Sequence, residues 1–430
     1  MFKMKNILYS LFLITLLYSC KKKDHGDNSI TKPNILLIIA DDMGKDACPG
    51  YGFASTQPNM PNLSQWVSSG IKFNNFWTYP TCTPTRGSIL TGKYGFRTGV
   101  QKVGDKMSAS ENSLHQELKN NGYATGQFGK WHLSNDANQP NAMGIDHYAG
   151  IISGTVPSYT NWTLSTNGTN STETTYTTTK LTDLAIDWIG KQDKPWFTWM
   201  AYNAPHSPFH LPPDSLHDQG ALASDQGSID ANPLPYYLAS LEALDKEIGR
   251  LLNSLSDAER ENTLIIFIGD NGSPAQVAQV YNSRRTKGSI YQGGINCPMI
   301  VSGAGVSRIG EENALVSTVD LFSTILAAAY VSDGTNNDSE SFYSLLNDEN
   351  AITKEHNYTE IGQSNGMADQ AIQIKNHKYI LFNDGAEALF NLDQNYLENP
   401  NLLSANQAPL STSDSLIWVE LKEKMGEITK

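Results

Sequence analysis

Asn34-Ile-Leu-Leu-Ile-Ile-Ala40 is a continuous apolar run that stops abruptly at Asp41-Asp42. A strand with one face in solvent alternates apolar and polar residues. A run without alternation reads as a strand covered on both faces, as in parallel sheets packed between helices. Thr263-Leu-Ile-Ile-Phe-Ile-Gly269 repeats the pattern and ends in Asp270-Asn271-Gly272. Trp196–Ala201, leading into Pro205-His206, and Cys297–Val301, behind a Gly-Gly turn, extend the set. Helical spacing fills the gaps at Asn62–Ser69, Ser113–Asn120, Thr182–Gly190 and Tyr236–Leu255. The last of these puts Leu238, Leu241, Leu244, Ile248, Leu251 and Leu252 on one face. Alternating strands and helices predict an α/β sandwich with a central, mostly parallel sheet flanked by helices. Ligands of such sheets sit beyond the carboxyl ends of the strands, where both acidic clusters fall. A lone Asp pair after a strand is ordinarily a turn or a helix cap. Two strands sending oxygen donors to one sheet edge is a more specific signal, and it suits a hard divalent cation.

Around this core the composition of the 430 residues is ordinary, with 39% hydrophobic and 17% charged. That excludes a disordered, collagenous or polytopic membrane chain. Lys+Arg 31 against Asp+Glu 44 leaves a net charge of −13, which argues against nucleic acid as a partner, since phosphates need a basic face. At the N-terminus Lys3 and Lys5 precede an apolar run from Ile7 to Tyr18. It is shorter than the ~20 residues a membrane span needs and has the size of a secretory h-region. Leu17-Tyr-Ser-Cys20 resembles a bacterial lipoprotein cleavage site, with Tyr18 bulkier than usual there. The expected organisation is a lipoprotein signal peptide over 1–19 and a lipid-anchored Cys20 with a flexible tether over 20–32. A catalytic domain over 33–330 and a C-terminal subdomain over 331–430 complete it. The protein is expected to be exported, as a periplasmic or cell-surface lipoprotein held to a membrane through Cys20; a plain signal peptide cut nearby is the alternative. Cys48, Cys82 and Cys297 are then an odd set in an oxidising compartment, and a Cys48–Cys297 bridge is a pairing that spacing cannot establish. Residues 163–179 read as a surface loop or hairpin. Strand candidates at Lys378–Phe382 and Ala388–Leu392 give the C-terminal part an α+β character with a short antiparallel sheet.

The most specific stretch is Cys82-Thr83-Pro84-Thr85-Arg86-Gly-Ser-Ile-Leu-Thr-Gly92. From the content of Cys, Pro and Arg, chance yields only about 0.003 occurrences of Cys-x-Pro-x-Arg in a chain like this. A buried structural Cys beside a proline turn is therefore a poor account of it. The motif resembles that of the type I sulfatases, within the alkaline phosphatase superfamily. The resemblance runs from Asn34 to about Leu402 and includes Pro58–Leu63, Gly129-Lys130-Trp131-His132, Gly144–Asp146 and Ala204–Pro208. It continues through Asp270–Gly272, Lys287–Gly294, Leu389–Leu392 and Asn401-Leu402.

This resemblance implies an alkaline-phosphatase-like fold in which Cys82 is converted to formylglycine by a separate maturation enzyme. The hydrated aldehyde then supplies one hydroxyl to attack sulfur, and the other expels sulfate afterwards. It also implies a divalent cation held by Asp41, Asp42, Asp270, Asn271 and residue 82. Three carboxylates and an amide oxygen suit Ca²⁺ better than Mg²⁺, which tends to retain its waters. Arg86 and Lys130 match the cations around the formylglycine, and His132 the base that releases sulfate. His206 and Lys287 match the pair that binds the sulfate and protonates the departing oxygen. The implied activity is hydrolysis of sulfate monoesters, by family habit on sulfated carbohydrates. A phosphonate or phosphate ester hydrolase on the same scaffold, and an inactive sugar-binding surface lipoprotein, are the rival readings. The helix expected to begin near Arg86 would turn its positive end towards the site. Tyr79, Trp131, Arg284 and Arg285 are candidate pocket walls, and His210 is a candidate substrate contact. Thr85 stands where the family more often has Ser. Gln292 and Asn296 stand where it often has Glu and Arg, so neutral groups are expected to replace a structural ion pair. Cys297 replaces a usual Val.

Overall fold

In the computed structural model, which describes residues 32–334 and 338–430, the Asn34–Ala40 run lies in the middle of a ten-stranded sheet. Ile35, Leu37 and Ile39 enter one core and Leu36, Ile38 and Ala40 the opposite one. Both faces of the strand are covered, which is why no polar residue interrupts the run. Its neighbours are Trp196–Ala201 and Thr263–Gly269, both parallel to it. Ala124–Lys130 and His147–Ile151 continue the parallel set on one side. The hairpin Trp162–Thr166 and Thr169–Glu173 closes that edge, antiparallel to it. On the other side Met299–Gly303 pairs antiparallel with Thr263–Gly269. The strand expected from Cys297 thus begins two residues later, because Pro298 has no amide to donate to a ladder.

The helices cover both faces. Leu234–Asn253 lays Leu238, Leu241, Leu244, Ile248 and Leu251 on one core. Cys82–Thr91 and Asp320–Ala328 lie on the other. The helix expected from Thr182 starts at Thr177, where its first hydroxyl donates to the Tyr159 carbonyl at 2.8 Å.

His356–Gly362, Ala368–Ile374, His377–Leu381 and Glu387–Asn391 form a separate four-stranded antiparallel sheet. One face packs on the C-terminal helix Thr412–Ile428 through Ile372, Ile374, Leu421 and Met425. The other presents Ala371, Ile380 and Phe390 to Trp77, Ile290 and Ile295. Trp77 lies just before Cys82 and Ile290 just after Lys287 in the chain, so this sheet supports two segments that carry candidate site residues. Residues Lys32–Lys430 pack as one compact unit. The expected signal peptide and Cys20 lie outside the described residues, and among the described residues no helix is long and apolar enough to cross a membrane. Cys48, Cys82 and Cys297 are buried and free, so the Cys48–Cys297 bridge is not formed. Cys297 instead lies 3.3 Å from the Thr78 hydroxyl.

Candidate active site

The central strands end level, with Ile39 opposite Ala201, Ala40 opposite Gly269 and Gly129 opposite Ala201. The segments that leave these strands therefore meet at one edge. Asp41-Asp42, Asp270-Asn271, Lys130 through His132, and His206 all arrive there. Close approach is built into the backbone. Gly129 has φ +116°, and a Cβ on it would lie 1.9 Å from the Ala201 carbonyl oxygen. Asp42 (φ 75°) and His132 (φ 59°) take the left-handed conformation, which costs a side-chain-bearing residue about 1–2 kcal/mol. Surrounding bonds hold Asp42 there: its amide donates to Asp270 Oδ1 at 3.0 Å and its carbonyl accepts from the Tyr237 hydroxyl at 2.8 Å.

Three carboxylates and three cations interlock at this edge. Lys130 Nζ lies 2.6 Å from Asp41 Oδ2, and Arg86 Nη2 lies 2.9 Å from Asp270 Oδ2 and 3.7 Å from Asp41 Oδ2. Lys287 Nζ reaches Asp42 Oδ1 at 2.6 Å and Oδ2 at 2.7 Å. Burial pushes the Asp41 carboxyl upward, but Lys130, His206, Arg86 and Lys287 outweigh it and hold the group well below the usual carboxylate range. Most of this cluster is sealed. The way in lies at the Lys287 and His206 side chains, 22% and 14% exposed.

Cys82 is the first residue of its helix, which begins one turn earlier than expected. Its thiol lies 3.2 Å from His132 Nδ1, with the Thr83 hydroxyl 3.3 Å from the same nitrogen. Burial, then Lys130 and Arg86, push the His132 imidazole down to about 3, so it is neutral at pH 7 and able to accept a proton. His206 Nδ1 lies 2.6 Å from the Ser207 carbonyl. An oxygen with no proton can only accept, so Nδ1 donates and Nε2 is left facing the site, 3.8 Å from Asp42 Oδ2. Thr85 carries its hydroxyl as Ser would: it donates to the Asp270 carbonyl at 2.8 Å and accepts from the Tyr79 amide at 3.1 Å.

The residues fit a divalent cation. Asp41 Oδ1 and Asn271 Oδ1 are buried and have no hydrogen-bond partner among the described residues, an expensive condition unless something else meets them. Asn271 Nδ2 donates to Asp42 Oδ1 at 2.7 Å, which brings the amide oxygen's group against the carboxylates. Asp41, Asp42 and His206 also present ligand atoms within 4.8 Å of one another. The oxygen donors Asp41, Asp42 and Asn271 favour a hard ion.

All of the residues picked from sequence for chemistry therefore reach one edge. The candidate walls divide. Tyr79 and Trp131 are buried struts, the first accepting from the Gly95 amide at 2.8 Å and the second donating from Nε1 to Gln139 at 2.8 Å. His210 stacks on Tyr159 at 3.8 Å and takes a 3.0 Å bond with the Tyr176 hydroxyl, a packing role. Arg284 and Arg285 line a cavity next to the 397–399 turn. Sequence reasoning missed Thr83, Tyr237 and Ser273, the last bonded to Asp46 at 2.7 Å and to the Gly44 amide at 3.1 Å. Ser273 comes directly after Asn271-Gly272, a placement that was the available signal. A buried Tyr on a helix gives none.

A sequence model of the Sulfatase family matches residues 33–331. YdeN of Escherichia coli K12, an uncharacterized sulfatase, is 27% identical over 360 residues, 70% of this chain and 63% of that protein. Arylsulfatase G of Mus musculus is 26% identical over 364 residues, 71% of this chain and 66% of that one. The chain thus spans just under two thirds of the length of both relatives, 63% and 66%. A sulfatase of Formosa agariphila is 27% identical over an alignment covering 94% of this chain and 89% of that protein. Among solved structures, Ps i-CgsB in complex with k-i-k-neocarrahexaose superimposes with a TM-score of 0.79 over 92% of both chains at 23% identity. BT4656 in complex with its substrate D-glucosamine-2-N,6-O-disulfate gives 0.77, over 93% of this chain and 98% of that one at 20% identity. Both carry the same sheet-and-helix architecture.

Proposed function

The chain belongs to the sulfatase family, and on that premise we propose that it hydrolyses sulfate monoesters, on sulfated carbohydrates, at the edge where Cys82 meets Asp41, Asp42, Asp270 and Asn271. The observation that carries this reading is the 3.2 Å approach of His132 Nδ1 to Cys82 Sγ beside that oxygen cluster. A formylglycine at position 82 would supply a hydrated aldehyde as nucleophile, and Asp41, Asp42, Asp270 and Asn271 would hold a Ca²⁺ that would supply a Lewis acid.

The remaining work falls to the chain's own side chains. Arg86 and Lys130 hold positive charge beside residue 82, each anchored by a carboxylate. His132, neutral and 3.2 Å from the Cys82 thiol, is placed to take a proton from the group at that position. Lys287 Nζ sits at the open side of the site to bind a sulfate oxygen. His206 presents Nε2 on the same side and, with both ring nitrogens protonated, gives the Nε2 proton to the departing oxygen and keeps the Nδ1 proton on the Ser207 carbonyl, which matters most for a sugar hydroxyl because its alkoxide is unstable. The three carboxylates and three cations cancel, so a divalent ion leaves the pocket with the positive sign that a sulfate ester needs.

The carbohydrate part is supported by the two solved neighbours with carbohydrate ligands, neocarrahexaose and a glucosamine disulfate. Export and anchoring at Cys20 belong to the same proposal and rest on the sequence from Lys3 to Cys20. The test is the mass of the tryptic peptide that spans residue 82, from protein made in its own host or with a maturation enzyme. Conversion of Cys to formylglycine lowers that mass by about 18 Da, and the converted protein releases sulfate from sulfated sugars. An unmodified Cys82 under these conditions moves the reading to a sugar-binding protein. A higher kcat/KM on a phosphate than on the matched sulfate moves it to a phosphate ester hydrolase.

A further inference from the structure

A cavity of about 610 Å³ lies between the 280–291 loop and the 397–399 turn, within the range of about 300–1,000 Å³ typical of ligand pockets. Tyr281, Arg284, Arg285, Tyr291, Glu398 and Asn399 are among its lining residues. The charges in that lining are not equally free. Arg285 is committed: its Nη1 donates to the carbonyls of Leu397 at 2.9 Å and Glu398 at 2.6 Å, and its guanidinium lies 4.4 Å from the centre of the Tyr291 ring. Glu398 is committed too, with Oε1 on Lys378 Nζ at 2.6 Å and Oε2 on the Gln292 amide at 2.7 Å. Arg284 is different. Its backbone amide is fixed by Asn282 Oδ1 at 2.9 Å, but its guanidinium has no hydrogen bond or ion pair among the described residues.

The cavity therefore offers an uncompensated cation, a second guanidinium in its wall, and the half-buried rings of Tyr281 and Tyr291. A planar fork of donors suits an anionic sugar, because it pairs a sulfate or carboxylate through two parallel bonds. Lys287 lies three residues beyond Arg284, so the two backbones are at most about 11 Å apart. That separation is within the span of a short oligosaccharide, and Arg284 is exposed.

We propose that this cavity is a second anion subsite, in which Arg284 binds the sulfate or carboxylate of a sugar residue neighbouring the one that is desulfated. The proposal rests on the sulfatase reading of the Lys287 site and specifies its substrate as a polyanionic oligosaccharide. The test is calorimetric binding to the full chain made without maturation, in which the Cys82 thiol cannot turn substrate over. Sucrose octasulfate and a galacturonate oligosaccharide are the probes, with inorganic sulfate as the single-anion control.

Arg284→Ala is expected to weaken sucrose octasulfate at least tenfold while inorganic sulfate moves less than twofold. Arg284→Lys is expected to recover part of the loss. A parallel loss for the galacturonate probe assigns the subsite to either anion; a loss for sucrose octasulfate alone assigns it to sulfate. Unchanged polyanion binding, no measurable binding of either polyanion, or an equal loss for inorganic sulfate overturns the proposal. The Cys82 mass measurement is independent of this one. Arg284-dependent binding in a protein whose Cys82 is never converted keeps the subsite and removes the sulfatase reading.

Discussion

Lys130 Nζ lies 2.6 Å from Asp41 Oδ2, and neither side chain reaches solvent. Removing one member of such a pair leaves the other as a buried charge without its nearest partner, at a cost of up to about 3–5 kcal/mol. Lys130→Met is expected to lower stability by about that amount. In matured protein it is expected to reduce turnover of 4-nitrophenyl sulfate on the order of 10²- to 10³-fold, the scale of losing one preorganised charge at a reacting centre. Chemical denaturation and steady-state kinetics on the same preparation check both. An unchanged denaturation midpoint would show that the Lys130 charge is not holding Asp41.

His206 separates two kinds of leaving group. A nitrophenolate departs without help, whereas a sugar alkoxide needs a proton, and positioned general acids contribute about 10²–10⁴-fold. His206→Ala is expected to depress kcat on alkyl or sugar sulfates by roughly that factor and on nitrophenyl sulfate by about tenfold or less. Equal losses on the two substrates would remove the proton-donor role and leave His206 as a binding group.

The loop that carries Lys287 is clamped from the C-terminal part of the chain. Glu398 takes Lys378 on one carboxylate oxygen and the Gln292 amide on the other, Lys378 also donates to the Ile290 carbonyl at 2.8 Å, and Arg285 holds the Glu398 carbonyl. Glu398→Gln strands a buried lysine, so a loss of about 3 kcal/mol is expected, and adding Lys378→Met should return much of it. A double-mutant cycle in urea measures this. If the double variant is as unstable as the sum of the singles, the two groups do not act as a pair.

Acid sensitivity traces in part to His115. Its ring packs against Phe197 at 4.9 Å and Trp199 at 5.8 Å, and neither ring nitrogen has a hydrogen-bond partner among the described residues. Burial pushes it from 6.5 down to about 3. Between those values the unfolded chain binds a proton that the folded one refuses, so stability falls as pH drops through that window. At pH 5 the group costs about 2 kcal/mol relative to pH 7. His115→Leu is expected to shrink the pH 7 to pH 5 loss by about that amount in urea titrations. A variant with the same acid loss as the parent rules His115 out as a source of it.

Much of this was legible in the sequence because the signals were local. Ile35–Ala40 and Leu264–Ile268 serve two cores at once and so admit no polar residue. Neighbouring parallel strands end at a common edge, so the residue that leaves one strand arrives beside the residue that leaves the next. Asp41 and Asp270 could therefore be placed together before their contacts were known, whereas Lys130, at the end of a strand with no long apolar run, was reached only through the motif resemblance. The parts that were not legible depend on partners far away in the chain. His356–Gly362 and Ala368–Ile374 mix polar with apolar residues because only part of each is covered, and their periodicity is weak. Thr412–Ile428 buries little beyond Ile417, Leu421 and Met425, too narrow a stripe to stand out. Tyr79 and Trp131 sit beside motif residues, yet adjacency in sequence said nothing of which way their rings turn. Gln292 and Asn296 are neutral and buried. The charge pair that steadies the neighbourhood, Lys378 with Glu398, comes from about a hundred residues further on and carries no motif.

Cys82 has 2% of its surface exposed, and every residue of its helix from Cys82 to Thr91 is buried. No second protein can close its own active site around that thiol once the sheet has formed. Any enzyme that modifies Cys82 must meet the motif as an extended segment, before Asp41, Lys130 and Asp270 assemble over it. If position 82 is converted as proposed, that conversion competes with folding, and a chain that folds first keeps its thiol enclosed.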